Sequence, residues 1–383
     1  MKLLHTADWH LGKVIFSRSL LEEQEHFLFH TFLPAVDRED PDLIVLAGDV
    51  FDRPIAPVEA IRLFDDLLYA LCAERGRKVA VIPGNHDSAD RLTVGSEILK
   101  RQGLYIASRL KAEPEAVHFS DEFGPVELWM LPYFDPAQVR EVFQDESVRG
   151  FQEAYERVLG AVRQRQTKGA RQILMAHCFV TGSKKSESES PLSIGGSGEI
   201  DGALFDGFDY VALGHLHGPQ RAAKNARYAG SPLKYSFDEA RQKKSLTVAE
   251  LSADSVEVRQ IPVLPRRDMR VLEGTLHKLL QAAKTDEHRE DFLYANLLDD
   301  APVFEPMARL REGYPNLLGL TCAWLQGGRG QAQGRDDLRK GLRAQRVDDQ
   351  AVLEAFLRQI CDREPDEDIT RLFCRLAEEE ERL

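Results

Sequence analysis

The chain has 383 residues, a formal net charge of −13, and 43% hydrophobic and 30% charged residues. This length exceeds one compact core and predicts two or three domains. The negative net charge argues against nonspecific binding of nucleic acid over most of the surface, although it is compatible with a local basic groove. The sequence has no run of 18 apolar residues, no signal-peptide core and no CxxC pair among its five cysteines. We therefore expect a cytoplasmic protein without membrane spans, a disulfide framework or a thiolate zinc site.

The first 265 residues alternate short apolar runs with amphipathic stretches. Runs rich in Val, Ile and Leu predict strands at 3–5, 43–48, 79–84, 126–133, 172–177 and 210–215. The stretches between them have helical spacing, which predicts helices at 19–39, 57–75, 91–102 and 151–167. Strands separated by helices indicate a layered α/β domain with a buried sheet. Ser, Gly and charged residues predict a loop at 183–199, and a β pattern returns from 228 to 265.

Beyond a break near Pro265, a second series of short elements predicts a compact α+β module. The expected order is a strand at 270–276, a helix at 277–284, a strand at 292–298, a helix at 304–312 and a strand at 317–324. Gly, Gln and Arg dominate the stretch that follows, which predicts a linker, and apolar residues at helical spacing come after it. The predicted domains are therefore 1–265, 266–326, a linker at 327–335 and a helical tail at 336–383.

Residues of types that commonly bind metal ions (Asp, Asn and His) follow five of the predicted strands. The segments are 5–12 (HTADWHLG), 47–52 (AGDVFD), 83–87 (PGNHD), 176–178 (AHC) and 213–217 (LGHLH). In an extended segment, residues i and i+2 project to the same side, so both polar side chains of D-x-H or H-x-H reach one ion. Ligand sites in α/β sheets lie at the carboxyl ends of strands. The candidate ligands are Asp8, His10, Asp49, Asn85, His177, His215 and His217.

Glycine precedes three of these candidates, Asp49, Asn85 and His215. We expect it to let the chain turn sharply from a strand end into a crevice. Each segment alone has an ordinary explanation, because GNHD is also a turn sequence and a single histidine is more often a core residue. The ordered set of five favours a metal centre. Its mixture of carboxylate and imidazole ligands suits Mn²⁺, Fe²⁺ or Zn²⁺ better than Mg²⁺.

The order D-x-H, G-D-x-x-D, G-N-H-D, H, G-H-x-H resembles the calcineurin-like metallophosphoesterase superfamily. The versions HTADWHLG, GDVFD and YVALGHLHGPQ resemble one branch of it, the SbcD nuclease subunits of bacterial SbcC–SbcD complexes. The segments LSIGGSGEID and YAGSPLKYSFDE resemble the same branch. This resemblance implies a four-layer β-sandwich flanked by helices, a small α+β DNA-capping domain at 266–326 and a C-terminal helical tail.

The resemblance also assigns roles to the motif residues. It implies two divalent cations, with Mn²⁺ the expected metal. One cation is held by Asp8, His10, Asp49 and His217. The other is held by Asp49, Asn85, His177 and His215, so that Asp49 bridges the two. His86 is implied as the general acid rather than a ligand. Asp52 matches the second Asp of G-D-x-x-D and is implied to orient His86 or a neighbouring group, but related enzymes often carry His there, so its role stays open.

The activity implied by the resemblance is a DNA nuclease. It implies a 3′→5′ exonuclease and endonuclease that acts on DNA ends and hairpins in repair, recombination and replication. The implied partner is the SbcC ATPase, and no phosphate loop for ATP occurs in this chain. The resemblance suggests a homodimer within a heterotetramer. The helices of the tail at 336–383 either bind SbcC, or pack on each other or on the body of the protein.

Two other functions are compatible with the motifs: a small-molecule phosphodiesterase of the same superfamily, and a DNA-end-binding scaffold subunit. The metal motifs do not distinguish DNA from other phosphate esters, so DNA as the substrate depends on the resemblance and on basic residues. A solvated surface charge is the commoner role for each such residue. The candidate phosphate contacts are Lys184, Lys185, Arg221, Lys234, Arg266 and Arg267.

Overall fold

The computed structural model describes residues 1–107, 109–189 and 198–323. Contacts group Met1–Leu297 with Val303–Thr321 into one compact unit. The expected linker at 327–335 and helical tail at 336–383 lie outside the described residues. Within the described ranges, no helix is long and apolar enough to cross a membrane.

Two six-stranded mixed sheets form the body of this unit. In spatial order, one sheet contains Val256–Pro262, Ser245–Leu251, Lys2–Thr6, Leu43–Ala47, Val79–Ile82 and Leu104–Ile106. The other contains Gln220–Arg221, Ala226–Tyr228, Tyr210–Gly214, Arg171–His177, Gly124–Met130 and Ala116–Asp121. In each sheet, four adjacent strands are parallel and the remaining strands pair antiparallel. All six strands predicted in the first 215 residues are confirmed, with small shifts at their ends.

The two sheets pack face to face, and alternate side chains of each strand belong to different cores. Leu3 and Val45 of the first sheet meet Ile173 and Met175 of the second in a fully buried central layer. Neighbouring residues such as Leu4 point to the opposite face, which helices cover. A third buried cluster lies between the second sheet and its own helices. The order helix, sheet, sheet, helix confirms the predicted four-layer α/β sandwich, and strands buried on both faces explain the continuous apolar runs in the sequence.

Amphipathic helices cover the outer faces, mostly where the sequence predicts them. The helix predicted at 19–39 is present as Leu21–Phe27, a π-helical turn Leu28–Phe32, and Leu33–Glu39. The helix predicted at 57–75 is Val58–Leu68 continued by the π-helical Tyr69–Glu74. The helix predicted at 151–167 is Phe151–Arg163.

The structure corrects three of the sequence-based assignments. The segment 91–102 is not one helix: Ala89–Leu92 and Ser96–Leu99 are separate turns, because Gly95 between them has a φ of +75°. A short 3-10 helix, Lys100–Gln102, follows. The helix Pro136–Phe143 was missed, although Asp135 and Gln138 form a capping box at its start. Residues 229–236 are not β, since Gly230 has a φ of +76° and Pro232 lacks an N–H for a ladder.

The predicted α+β module is confirmed in all five of its elements. They are Met269–Gly274, Leu276–Ala282, Phe292–Leu297, Pro306–Gly313 and Leu317–Cys322, and the three strands form one sheet in chain order. Met269 and Phe292 belong to the same buried cluster as the helix-covered face of the first sheet. The module therefore shares an apolar core with the helix-covered first sheet.

Shorter elements complete the described structure. Single strand pairs are formed by Val14–Ile15 with Arg18–Ser19 and by Phe179–Val180 with Glu199–Ile200. Two 3-10 helices, Gly202–Phe205 and Phe237–Arg241, lie in connections.

Candidate metal centre

The five motif segments meet at one edge of the sandwich, where strands from both sheets end. Asp8, Asp49 and Asn85 follow three adjacent parallel strands of the first sheet. His177 ends one strand of the second sheet, and His215 directly follows the neighbouring strand. The fold therefore converts five segments that are distant in the sequence into one cluster, as expected for the carboxyl ends of parallel strands.

Glycines allow the two sheets to approach each other at this edge. A Cβ on Gly214 would lie 1.8 Å from the carbonyl oxygen of Ala47, and a Cβ on Gly84 would lie 2.2 Å from Asp49 Oδ1. Gly48 alone of the three glycines that precede ligands has a left-handed φ, +91°. The expected sharp turn is thus present at Gly48. At Gly84 and Gly214, glycine is needed because the neighbouring chain lies too close for a Cβ atom.

Four of the candidate ligands have backbone conformations that non-glycine residues rarely adopt. The φ angles are 55° at Asp8, 45° at His10, 49° at Asp49 and 103° at His215. Such conformations cost on the order of 1–3 kcal/mol each and persist when the surroundings impose them. Hydrogen bonds supply that constraint here: the Asp8 N–H donates to Gly48 O at 3.0 Å, and the His215 N–H donates to Asp8 Oδ1 at 2.8 Å.

One half of the cluster is built around two imidazoles. His10 Nε2 lies 3.1 Å from His217 Nε2 and 3.6 Å from Asp49 Oδ2. Asp8 is fully buried, and its Oδ2 atom has no hydrogen-bond partner in the described structure. The Nδ1 atom of His10 is likewise buried without a hydrogen-bond partner, so this half holds two orphaned polar atoms.

The other half is built around Asn85. Its Oδ1 atom lies 2.9 Å from His177 Nε2 and 3.2 Å from His215 Nδ1. His177 Nδ1 lies 3.0 Å from Ala47 O, and since a carbonyl only accepts, Nδ1 carries the proton there. In a neutral ring, Nε2 then presents a lone pair toward Asn85 and toward Asp49 Oδ2, which lies 3.4 Å away.

Asp49 is common to both halves. Its Oδ2 atom faces His10 on one side and His177 on the other, and its Oδ1 atom accepts the His86 N–H at 2.9 Å. Two sets of potential ligand atoms share it, one with Asp8 and His177 and one with His10 and His86.

The electrostatics of the cluster are those of a cation site. Burial raises the pKa of Asp8 well above its usual range and lowers the pKa of His10 and His215 well below theirs. Burial also opposes ionisation of Asp49, yet the facing His177 holds the pKa of Asp49 well below its usual range. Although burial opposes it, the charge of Asp49 raises the pKa of His177 to about 9, so a divalent cation would displace the His177 proton, whereas His10 and His215 are already in the neutral form that binds such ions. The orphaned lone pairs and the mixed donor set therefore fit such ions.

His86 and Asp52 lie beside this cluster. The His86 ring meets the His10 ring edge-on, with centroids 4.8 Å apart, and His86 Nδ1 lies 2.9 Å from the backbone oxygen of Asp52. Asp52 thus contacts His86 through its main chain. Its carboxylate instead pairs with Lys13 Nζ at 2.8 Å and lies 3.8 Å from His10 Nδ1.

Asp87 has a structural role that the sequence reasoning did not assign, although it belongs to the quoted PGNHD segment. Its carboxylate accepts the N–H groups of Val50, Phe51 and Gly84 at 2.9–3.0 Å and so links two of the motif loops. Burial, together with the negative charge of Asp49, raises the pKa of Asp87 to about 6.

A buried ion pair behind His217 was also missed. Glu239 and Lys244 are 0% and 5% exposed, and the Lys244 ammonium donates to Glu239 and, at 2.8 Å, to His217 O. Glu239 Oε1 lies 3.4 Å from His217 Nδ1, and Ser188 Oγ lies 2.6 Å from the same nitrogen. No local pattern marks these residues, because the pairing depends on how distant segments pack.

The basic residues considered as phosphate contacts mostly have intramolecular partners. Lys234 Nζ pairs with Asp268 at 2.8 Å, and Arg267 Nη1 pairs with Glu23 at 2.8 Å. Arg221 donates to two main-chain carbonyls, and the Lys185 ammonium lies 3.9 Å from the centroid of the Phe179 ring. Lys234 and Arg267 therefore stabilise the region around the module instead of presenting free charge.

Comparisons with known proteins agree with this geometry. The family model described as calcineurin-like phosphoesterase matches residues 1–219, and one described as type 5 capsule protein repressor C-terminal domain matches residues 265–360. The SbcD subunit of the nuclease SbcCD from Staphylococcus saprophyticus is 33% identical over 361 residues, which cover 94% of this chain and 93% of the relative. Its namesake from Staphylococcus epidermidis is 31% identical over 364 residues, with 94% of each chain covered.

Among solved structures, a dimetal phosphatase from Danio rerio has a TM-score of 0.43 at 14% identity, covering 69% of this chain and 96% of its own, which is a distant likeness. Fold, site and family model together define a metal-dependent phosphoesterase, a class that uses divalent metal ions. Within that class, the chain belongs to the family of SbcD nuclease subunits, and it is a hydrolase of the nuclease type. The resemblance drawn from the motifs is thereby confirmed.

Proposed function

We propose that this chain cleaves DNA ends and hairpins as a 3′→5′ exonuclease and endonuclease, together with the SbcC ATPase, in repair, recombination and replication. The observation that carries the proposal is the gathering of seven potential ligands in one cluster, with Asp49 between His10 and His177. Similarity to SbcCD nuclease subunits over 94% of the chain supports the substrate and the partner. A cytoplasmic location accords with bacterial chromosomal DNA as the substrate.

The proposed ligand sets follow the two halves of the cluster, except that Asp8, whose Oδ1 lies 3.9 Å from His177 Nδ1, joins His10 and His217 because the resemblance places it there. Asp8, His10, Asp49 and His217 hold one cation, and Asp49, Asn85, His177 and His215 hold the other. We propose Mn²⁺ for both, because four imidazoles with only two carboxylates suit Mn²⁺ better than Mg²⁺. When bound, the two cations polarise the phosphodiester and the attacking water.

The residues of the chain position and supply protons around that centre. We assign His86 as the general acid that protonates the leaving oxygen. The carbonyl of Asp52 accepts a hydrogen bond from His86 Nδ1 and fixes the ring, so that Nε2 lies at its opposite end and is available for proton donation. Asp49 Oδ1 holds the His86 main chain in place. Asp52 thus acts on His86 through its backbone.

The remaining assignments concern assembly. We assign 266–326 as the DNA-capping domain and 336–383 as the SbcC-binding tail. A homodimer would cover the exposed apolar side chains of Val58, Ile61 and Tyr69, which lie on one helical segment and are 48–64% exposed. Sedimentation of the isolated chain tests the dimer, and a strictly monomeric species at micromolar concentration would exclude it.

One set of assays tests the nuclease proposal. Linear and hairpin DNA are incubated with the chain in Mn²⁺ or Mg²⁺, with and without SbcC and ATP, beside a chromogenic phosphodiester. We expect Mn²⁺-dependent cleavage of both DNAs that SbcC and ATP stimulate. Hydrolysis of the chromogenic ester without any DNA cleavage would favour a small-molecule phosphodiesterase. DNA binding without hydrolysis of any substrate would favour a scaffold.

A further inference from the structure

A polar cavity of about 580 Å³ opens beside the metal centre, on the side of Asn85. The motif loop 83–87 forms one wall, and residues 132–142 form the other. Its volume falls within the range of roughly 300–1,000 Å³ that is typical of small-molecule sites. None of the roles assigned above uses this cavity.

Tyr133 lines the cavity where it meets the centre. Its ring is half-buried and meets the His177 ring edge-on, with centroids 6.3 Å apart. Its N–H donates to Pro83 O at 2.9 Å, which fixes the residue against the motif loop. In the described part of the chain, the Tyr133 hydroxyl has no hydrogen-bond partner. The ring and hydroxyl are therefore available to a molecule in the cavity.

The walls of the cavity are fixed before any ligand binds. Asp135 accepts the Gln138 N–H at 2.8 Å, and Gln138 Oε1 accepts the Asp135 N–H at 3.0 Å, which closes the capping box of the helix Pro136–Phe143. On the opposite wall, Asp87 accepts the Gly84 N–H at 2.9 Å. Such preorganisation lowers the entropic cost of binding.

The charges of the lining favour a neutral group over a phosphate. Asp135 and Glu141 contribute carboxylates, and the basic group of the lining, Arg109, is paired with Asp90 at 2.7 Å. An additional phosphate in this space would meet uncompensated negative charge, whereas a base and a sugar are polar and uncharged. Aromatic rings stack on bases of any sequence, which suits a nuclease without base specificity.

We propose that this cavity binds the nucleoside attached to the scissile phosphate, with its base against the Tyr133 ring. The inference rests on the proposed nuclease function. Because Tyr133 contacts His177, a nucleoside in the cavity is close enough to the centre for its own phosphate to reach the proposed ligands. Tyr133 then determines preference for nucleotide substrates over simple phosphodiesters.

Two esters with the same leaving group test the proposal: thymidine 5′-(4-nitrophenyl phosphate) and methyl 4-nitrophenyl phosphate. They differ only in the group that would enter the cavity, so the ratio of their kcat/KM values measures the nucleoside preference. We expect Tyr133→Ala to lower this ratio roughly 5- to 100-fold, the range that loss of one base–aromatic stack produces. The loss should appear in KM for the thymidine ester, and Tyr133→Phe should retain the ratio because it keeps the ring.

Phe123→Ala serves as the matched control, since Phe123 is an exposed aromatic residue in a hairpin turn and does not line the cavity. An unchanged ratio in Tyr133→Ala, or an equal loss for both esters, would overturn the cavity assignment. A different result would contradict the nuclease proposal: wild-type protein that hydrolyses the two esters but does not cleave DNA. In that case the ratio of the esters still decides whether the cavity binds a nucleoside.

Discussion

Individual residues at the candidate metal centre have distinct positions, and these separate the candidate ligands from the proposed proton donor. Of the other six candidate ligands, His10 and His217 lie on one side of Asp49, and His177 and Asn85 lie on the other. His86 approaches the same carboxylate through its backbone N–H, while its side chain is directed by Asp52 O. The proposed general acid is therefore held in place by the proposed bridging ligand.

Replacing His86 tests its assignment as the general acid. We expect His86→Ala to lower turnover on DNA by roughly 10²–10⁴-fold, the usual contribution of a general acid, because the leaving oxygen then departs unprotonated. Metal content, measured by mass spectrometry of the dialysed protein, should remain near that of the wild type.

His277→Ala provides the comparison, since His277 is an exposed histidine in the α+β module. Wild-type turnover in His86→Ala would remove the general-acid role. Loss of bound metal from that variant would instead make His86 a ligand.

At the scale of elements, the 3-10 helix Phe237–Arg241 and the start of the strand Ser245–Leu251 support His217 from behind. Glu239 lies in the helix, and Lys244 directly precedes the strand. Although burial opposes ionisation, hydrogen bonding to His217 and the charge of Lys244 hold the pKa of Glu239 well below its usual range. A carboxylate beside Nδ1 fixes the orientation of the ring and leaves Nε2 for a metal ion.

Two variants separate the stability of this ion pair from its effect on metal binding. Glu239→Gln leaves the buried Lys244 charge unpaired and should lower the free energy of unfolding by about 3–5 kcal/mol in urea titrations. Adding Lys244→Met removes that charge and should restore much of the stability. Both variants should bind Mn²⁺ about 10–100-fold more weakly in calorimetric titrations, because His217 loses its supporting carboxylate. Wild-type Mn²⁺ affinity in the double variant would show that the pair has only a structural role.

The sequence predicts most of the elements because they follow local rules. Strands such as Leu43–Ala47 are buried on both faces and appear as continuous apolar runs. Local rules fail where a backbone angle decides the outcome, as at Gly95, which divides an otherwise helical pattern. They also fail for Glu239 and Lys244, whose roles depend on contacts with His217 more than 20 residues away.

At the scale of the whole molecule, the arrangement of two sheets brings the site together. His5 and Tyr210 are 205 residues apart, yet His5 Nδ1 lies 2.9 Å from the Tyr210 hydroxyl in the central layer. The motif order identifies the candidate ligands, but only the packing of the sheets shows that Asp49 faces both His10 and His177. The cavity beside Tyr133 likewise needs both sheets, since its walls come from the motif loop 83–87 of one and residues 132–142 of the other.

The stoichiometry of bound Mn²⁺ tests the central claim most directly, namely that one carboxylate joins two cation sites. Metal-free protein is titrated with Mn²⁺ in a calorimeter, and the bound metal is counted after dialysis. The account predicts two Mn²⁺ per chain for the wild type and for the exposed-site control Glu257→Ala, one for His177→Ala, and none for Asp49→Ala. Two tightly bound Mn²⁺ ions in Asp49→Ala would contradict it.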